Sequence, residues 1–264
     1  MARTIRLLIA YDGGGFHGWQ RQHNGPTIQG EIERGLTTIC GRPVTLHGAG
    51  RTDAGVHALG MVAHFHTPTT IPLAAFTRGL NSLLSKDIRI LHAEEAEPGF
   101  HSRFSALGKA YCYHFFTGEV QLPCSRRHIA HQPGRFEADR LREPLAALIG
   151  THDFASFEHS GSRDKEAEGG RGAVRTIFSA NCLARPEPDC WSIRLIGDGF
   201  LRQMVRIIAG TLIEIGQGKR PPDAMPAILA ARDRTKAGLT APACGLVLET
   251  IFYTPMPDWS TPPI

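Results

Sequence analysis

The residues best suited to chemistry sit between His47 and Ala58, where Arg51 and Asp53 are set among Gly48, Gly50 and Gly55. Apolar Val44 and Leu46 precede the stretch and an alternating run from Val56 to Phe65 follows it, which predicts an ordered loop joining two strands. Glycines there permit unusual backbone angles or close approach of a ligand, and loops between rigid strands commonly hold catalytic groups. The same residues also suit an ordinary turn capped by Asp53.

Other candidates carry two readings each. Phe16, His17, Trp19, Gln20 and Arg21 form an aromatic and basic mixture that fits stacking on bases or covering a core edge. Lys109, Tyr111, Tyr113 and Phe116 fall where an RNA-recognition strand places its basic and aromatic residues, but Ala110, Cys112 and His114 depart from that pattern. Counting about 100 degrees per residue from Leu201, Arg206 lies roughly 140 degrees away and off the apolar face, either as a functional cation or as a solvated helix charge. His64 and His66 share one face of a strand with no obvious third ligand, so no metal is expected.

Positioning these residues takes a sizeable scaffold. The 264 residues are 42% hydrophobic, enough for one large domain or two ordinary ones. Thr4 to Tyr11 is an apolar run that stops at Asp12 and three glycines, predicting a buried first strand. Thr27 is placed to cap a helix carrying Ile28, Ile32, Leu36 and Ile39, with Gly41 at its end. Strands are predicted over Val56 to Thr67 and Asp87 to Ala93, flanking a helix marked by Leu73, Phe76, Leu80 and Leu83. That order is the split βαβ, or ferredoxin-like, unit.

The pattern then begins again. Lys109 to Thr117 is a predicted strand, Leu141, Leu145 and Leu148 mark a helix, and a hairpin spans Arg175 to Ile196. A helix over Leu201 to Ile215, an extra helix after Pro221 and Pro222, and a strand over Gly245 to Tyr253 complete it. The expectation is an α+β fold (α/β in the broad sense) of two tandem ferredoxin-like, RRM-like βαββαβ domains with antiparallel sheets. Residues 1–103 form the first and 104–264 the second, which carries an inserted, glycine-rich charged loop over 158–173. The proline-bearing tail from Thr254 is expected to leave the sheet.

Composition narrows the classes. Lys plus Arg exceed Asp plus Glu by 29 to 25, a mild basic balance that suits a polyanionic partner. Six cysteines without a CxxC pair predict reduced thiols, and no signal peptide is apparent, so a cytoplasmic setting is expected. The longest apolar stretch, Met204 to Ile215, is short and contains Arg206 and Glu214, which excludes a membrane span there.

Gly50 to Ala58, with Arg51, Thr52 and Asp53 inside it, resembles the signature of the tRNA pseudouridine synthase A family. Further segments are similar to that family's other motifs: Tyr11, Asp12 and Gly13 with Gly18, Trp19 and Gln20; Arg103, Phe104, Ala106, Lys109, Tyr111 and Tyr113; Gly199 to Leu201 with Met204 to Arg206; and Ala241 to Ala243 with Gly245 and Leu246. The resemblance implies an isomerase that converts uridine to pseudouridine in the anticodon stem-loop of tRNA, at tRNA positions 38, 39 and 40, as a homodimer and without a cofactor. It implies Asp53 as nucleophile in a cleft between the domains, Arg206 as its cationic partner, Tyr111 stacked on the uracil, and Arg51 holding the nucleotide flipped out. Arg126, Arg127, Arg163, Arg171, Lys219 and Arg220 are candidates for phosphate contacts. The rival of another class is a non-catalytic RNA-binding protein of two RRM-like units.

Overall fold

A computed structural model describes residues 3–159, 161 and 171–254. Its elements, in order, are β1 (Arg3–Tyr11), α1 (Ile28–Cys40), β2 (His47–Gly48), β3 (His57–Thr67), α2 (Leu80–Leu83), β4 (Ile88–Glu95), β5 (Gly108–Phe116), β6 (Ala130–His131), α3 (Arg142–Leu148), β7 (Gly150–Asp153), β8 (Val174–Ala184), β9 (Cys190–Gly197), α4 (Met204–Gly216), α5 (Ala224–Ala231) and β10 (Leu246–Phe252). The chain divides into two compact units. One holds the chain up to Leu107 together with the segment from Val247, and the other holds Gly108–Leu246.

In the first unit the strand order is β4-β1-β3, with β2 antiparallel on the outer edge of β3 through His47↔His64 and Gly48↔Ala63. This 4-1-3-2 order is that of a βαββαβ unit. β10 runs parallel to the start of β3, with Val247 opposite His57. β1 is a strand as the apolar run predicts, but it alternates instead of being buried throughout: Ile5, Leu7 and Ile9 are fully buried while their neighbours are less so. α1 begins where expected, since Thr27 Oγ1 accepts from Gly30 N, and ends at Gly41 in the left-handed region at φ 66°. Its buried residues Ile28, Ile32 and Leu36 recur at helical spacing and face the sheet-side core. A π turn over Ala75–Gly79 leads into α2, and Phe76 meets Phe65 edge to face at 5.2 Å.

In the second unit the order is β5-β9-β8-β7, all antiparallel, with Lys109 opposite Gly197 and Gly150 opposite Ile177. Short β6 runs parallel to the end of β5. Tyr113, Phe115, Phe154, Phe157, Ile193, Leu195, Ile208, Leu212 and Ile215 are all fully buried and form its core. The extra helix is α5, seated by buried Met225, Ile228 and Leu229. α4 starts later than the apolar pattern indicated. Gln203 takes φ 61°, a left-handed conformation that a helix cannot continue through, so Leu201 precedes the helix and is no reference for its phase.

The six cysteines carry no disulfide. Among the described residues no helix is long and apolar enough to cross a membrane. Most of the charged loop expected over 158–173, and the tail from residue 255, lie outside the described residues. The loop's ends are tied down rather than loose: Glu158 and Ala173 are buried, His159 N donates to Arg202 O at 3.1 Å, and Phe154 N donates to Ala173 O at 3.0 Å.

Candidate active site

The loop from Ala49 to Val56 is anchored at both ends by buried residues, Ala49 and Val56 being at most 1% exposed. Ala49 N donates to Val62 O at 2.8 Å, and Val56 N closes a turn on Asp53 O at 3.2 Å. Between these anchors Arg51 is exposed, Thr52 is buried and Asp53 is half-buried. The segment after β1 forms the wall against which the loop is set. Trp19 N donates to Thr52 O at 3.1 Å, and the Tyr11 hydroxyl lies 2.8 Å from Thr52 Oγ1.

Two glycines of that wall are required by proximity. A Cβ at Gly13 would lie 2.0 Å from Val56 O, and one at Gly18, where φ is +88°, would lie 2.6 Å from Thr52 O. Trp19 is buried, and its indole fills the space over Gly48 that a Cβ would enter. Of the two readings of Phe16 to Arg21, Trp19 therefore follows the core-edge one. Gly13 N also donates to His57 Nδ1 at 3.2 Å, tying the turn after β1 to the first residue of β3.

A second set of contacts holds β2, the strand entering the loop. Glu33 on α1 is 6% exposed, and its Oε1 accepts from Leu46 N at 3.0 Å and Gln29 Nε2 at 3.1 Å. Fully buried Ser102 donates its hydroxyl to His47 O at 2.6 Å, and Ser102 O accepts from the Tyr253 hydroxyl at 2.6 Å. Sequence analysis missed Glu33, Ser102 and Tyr253, because each acts on a partner distant in the chain.

His64 belongs to the same cluster. Ser102 N donates to its Nδ1 at 3.1 Å, and its ring stacks on His47 at 5.1 Å and meets His101 edge-on at 4.6 Å. Burial, then the neighbouring His101, His47 and His66, push His64 down to about 4. His66 Nδ1 instead pairs with Thr4 Oγ1 at 3.0 Å.

The remaining candidates belong to the second unit. Tyr111 on β5 is 8% exposed, with Phe200 edge-on to its ring at 5.2 Å. Arg206 on α4 is half-buried; its Nε donates to Ala241 O at 2.8 Å while Ala241 N donates back to Arg206 O at 3.1 Å. This reciprocal pair orients the guanidinium, so Arg206 is not a freely solvated helix charge. Tyr113 is fully buried with its hydroxyl donating to Pro242 O at 3.0 Å, and burial pushes that hydroxyl well above the ordinary tyrosine range. With Tyr113 wholly buried and its hydroxyl held by Pro242 O, β5 does not display the multi-ring aromatic platform of an RNA-recognition strand.

Among the phosphate-contact candidates, Arg126, Arg127 and Lys219 are exposed, and Lys219 Nζ lies 2.6 Å from Gln217 Oε1. Arg171 is paired with Asp198 at 2.7 Å, and Arg220 with Glu214, so part of their charge is compensated within the protein. Arg163 lies outside the described residues. Arg51 and Asp53 thus belong to one unit, and Tyr111, Arg206, Arg126, Arg127 and Lys219 to the other.

A family model described as tRNA pseudouridine synthase matches residues 7–105 and 145–254. The chain is 50% identical over 251 residues to tRNA pseudouridine synthase A 1 of Desulfotalea psychrophila, covering 95% of this chain and 100% of that protein. It is 45% identical over 251 residues to tRNA pseudouridine synthase A of Geotalea uraniireducens, with coverage of 95% and 100%. A Bacillus pumilus tRNA pseudouridine synthase A is 43% identical over 251 residues, with coverage of 94% and 98%. The matched segments include the Asp53 loop, its wall from β1 to Trp19, and the α4 and Ala241–Leu246 pieces around Arg206, and the chain belongs to the tRNA pseudouridine synthase family.

Proposed function

We propose that this protein isomerises uridine to pseudouridine in tRNA, acting on the anticodon stem-loop at tRNA positions 38–40. The net reaction breaks the bond from N1 to C1′, turns the uracil, and joins C5 to C1′, while the hydrogen on C5 is replaced by one on N1. Nothing is oxidised and no group is imported, so the chemistry requires no cofactor. It does require a nucleophile at the flipped-out nucleotide, a site that keeps the detached uracil from escaping, and contacts that hold the nucleotide out of its stack.

Asp53 is the proposed nucleophile, Arg206 the cation that keeps its carboxylate charged beneath the substrate, and Tyr111 the ring that stacks on the uracil. Arg51, exposed one residue before Thr52, is assigned to the displaced nucleotide or its phosphate, and Arg126, Arg127 and Lys219 to backbone phosphates. The proposal includes a homodimer in the cytoplasm, the second subunit helping to hold the RNA. The observation that carries it is the attachment of the Asp53 loop: a half-buried carboxylate sits on a segment fixed by Tyr11, Gly13, Gly18 and Trp19, far more constraint than a surface turn needs. The full burial of Tyr113 speaks against the rival, a platform of several exposed rings on β5.

The test is Asp53→Asn assayed by carbodiimide or mass-spectrometric mapping of pseudouridine in an anticodon stem-loop. Product formation is expected to vanish while RNA affinity stays within about threefold of wild type, as for a group needed only in the chemical step. Retained activity would overturn the assignment.

A further inference from the structure

We propose that the hydroxyl pair of Tyr11 and Thr52 is a positioning device for Asp53, an inference that rests on Asp53 being the nucleophile. Thr52 is the residue immediately before Asp53 and is held at two points. Its carbonyl accepts from Trp19 N at 3.1 Å, and its Oγ1 lies 2.8 Å from the Tyr11 hydroxyl. The carbonyl is further hemmed in by Gly18, where any side chain would meet Thr52 O at 2.6 Å. One contact fixes the peptide following Thr52 and the other fixes the side chain, so the backbone rotation that would swing Asp53 has little freedom left.

Tyr11 is well placed to serve as the fixed partner. It ends β1, opposite Ala58 on β3 and Ile88 on β4, so its backbone is braced from both sides of the sheet. Its ring is 4% exposed and lies 6.1 Å from that of Trp19, which contributes the other contact to Thr52. Phenol and threonine hydroxyls are therefore buried against each other beneath the loop, Thr52 being 8% exposed.

Stability does not require them. Replacing both partners of a buried hydrogen bond by apolar groups of the same shape is nearly neutral, so phenylalanine and valine would fill this space about as well. What an apolar pair lacks is direction. A hydroxyl pair at 2.8 Å adds a directional restraint that ties the threonine side chain to the phenol at a set distance, which packing of two apolar groups does not supply. Attack at a sugar or base carbon needs the carboxylate within a fraction of an ångström, and misplacement by about 1 Å costs roughly 100-fold in rate.

The test compares Tyr11→Phe, Thr52→Val, Thr52→Ser and the Tyr11→Phe/Thr52→Val double variant in the full-length protein with a tRNA anticodon stem-loop. Turnover is read at saturating RNA below each variant's melting temperature, with RNA affinity measured alongside. Tyr11→Phe and Thr52→Val are each expected to lower kcat about 10- to 100-fold with affinity within about threefold, and Thr52→Ser, which keeps the hydroxyl, to restore most of it. The double variant is expected to be no slower than the worse single one by more than about twofold, because the pair acts as a unit.

Wild-type kcat in Tyr11→Phe, a Thr52→Ser variant as slow as Thr52→Val, or losses that multiply would each overturn the proposal. Should Thr52→Val fail to fold, Tyr11→Phe and Thr52→Ser still decide it. Asp53→Asn in the same series separates the levels: if it is inactive while Tyr11→Phe and Thr52→Val turn over normally, only the positioning role falls, whereas an active Asp53→Asn removes the nucleophile assignment and this inference with it.

Discussion

Gly13 offers the sharpest test of whether the first strand sets the placement of the Asp53 loop. In Gly13→Ala the new Cβ would sit 2.0 Å from Val56 O, a backbone atom with no flexible end to swing aside. Reaching even the 3.0 Å below which real contacts are not found requires the two segments to part by about 1 Å. Val56 N closes its turn on Asp53 O at 3.2 Å, so the displacement passes to the carboxylate-bearing residue three positions upstream. A shift of about 1 Å at a reacting group corresponds to roughly a 100-fold loss of kcat. The accompanying overpacking cost is about 1–3 kcal/mol, or a Tm drop of roughly 2–10 °C in a chain of this size, so the variant is folded at assay temperature. Gly15 is the matched control, since a Cβ there meets nothing within 4 Å, and Gly15→Ala should keep wild-type kcat and Tm. Single-turnover pseudouridine formation on an anticodon stem-loop, with melting curves for all three proteins, reads both quantities. Gly13→Ala turning over within about twofold of wild type, or Gly15→Ala losing as much as Gly13→Ala, would refute the mechanical link from β1 to Asp53.

Two further outcomes are expected. Glu33→Ala leaves the Leu46 N–H without its carboxylate acceptor and deletes the acceptor of Gln29 and Arg21, at a cost of about 2–4 kcal/mol. Thermal melting should show a Tm lower by roughly 5–15 °C, and a change under about 2 °C would contradict this account of the anchor. His64, held down to about 4 from an ordinary 6.5, is neutral in the folded protein, so the unfolded chain binds its proton first on acidification. Its stabilising contribution is complete above about 6.5 and drains as pH falls through 4; in urea titrations the gap between wild type and His64→Asn should therefore narrow from pH 7 to pH 5, and a constant gap would be inconsistent with it.

Legibility in the sequence followed the range of each interaction. β1, α1 and the hairpin of β8 and β9 were readable because apolar runs with their glycine stops, the Thr27 cap and Gly41 act within a few residues. Asp53 stood out because a carboxylate and an arginine fall among glycines between two apolar runs. Trp19 was ambiguous, since nothing local distinguishes an aromatic that stacks on RNA from one that roofs a loop about thirty residues away. Glu33, which reaches Leu46, and Ser102, which reaches His47, left no pattern at all, because a buried polar group is recognised only with its partner in view. Arg206 does lie off the buried residues of α4, as read, but the start of that helix was misplaced at Leu201, because an apolar residue at helical spacing precedes a left-handed Gln203, which no periodicity reveals.

The second unit answers a comparable positioning problem with a single short segment. Tyr111 lies on β5 and Arg206 on α4, and neither element on its own fixes its residue relative to the other. The stretch from Ala241 to Gly245 does so. Ala241 exchanges two hydrogen bonds with Arg206, through Nε to its carbonyl and from its own amide to the arginine carbonyl. The next residue, Pro242, accepts from the hydroxyl of Tyr113, which shares a strand face with Tyr111. Gly245 then packs so tightly on β5 that a Cβ would lie 2.5 Å from His114 O. One pentapeptide therefore grips the arginine at one end and the tyrosine strand at the other. That explains why small residues and a proline far from both side chains in sequence belong with them: the roles proposed for Arg206 and Tyr111 at one nucleotide require a set spacing, and the contacts that set the spacing of α4 and β5 here come from this segment's backbone rather than from the two side chains themselves.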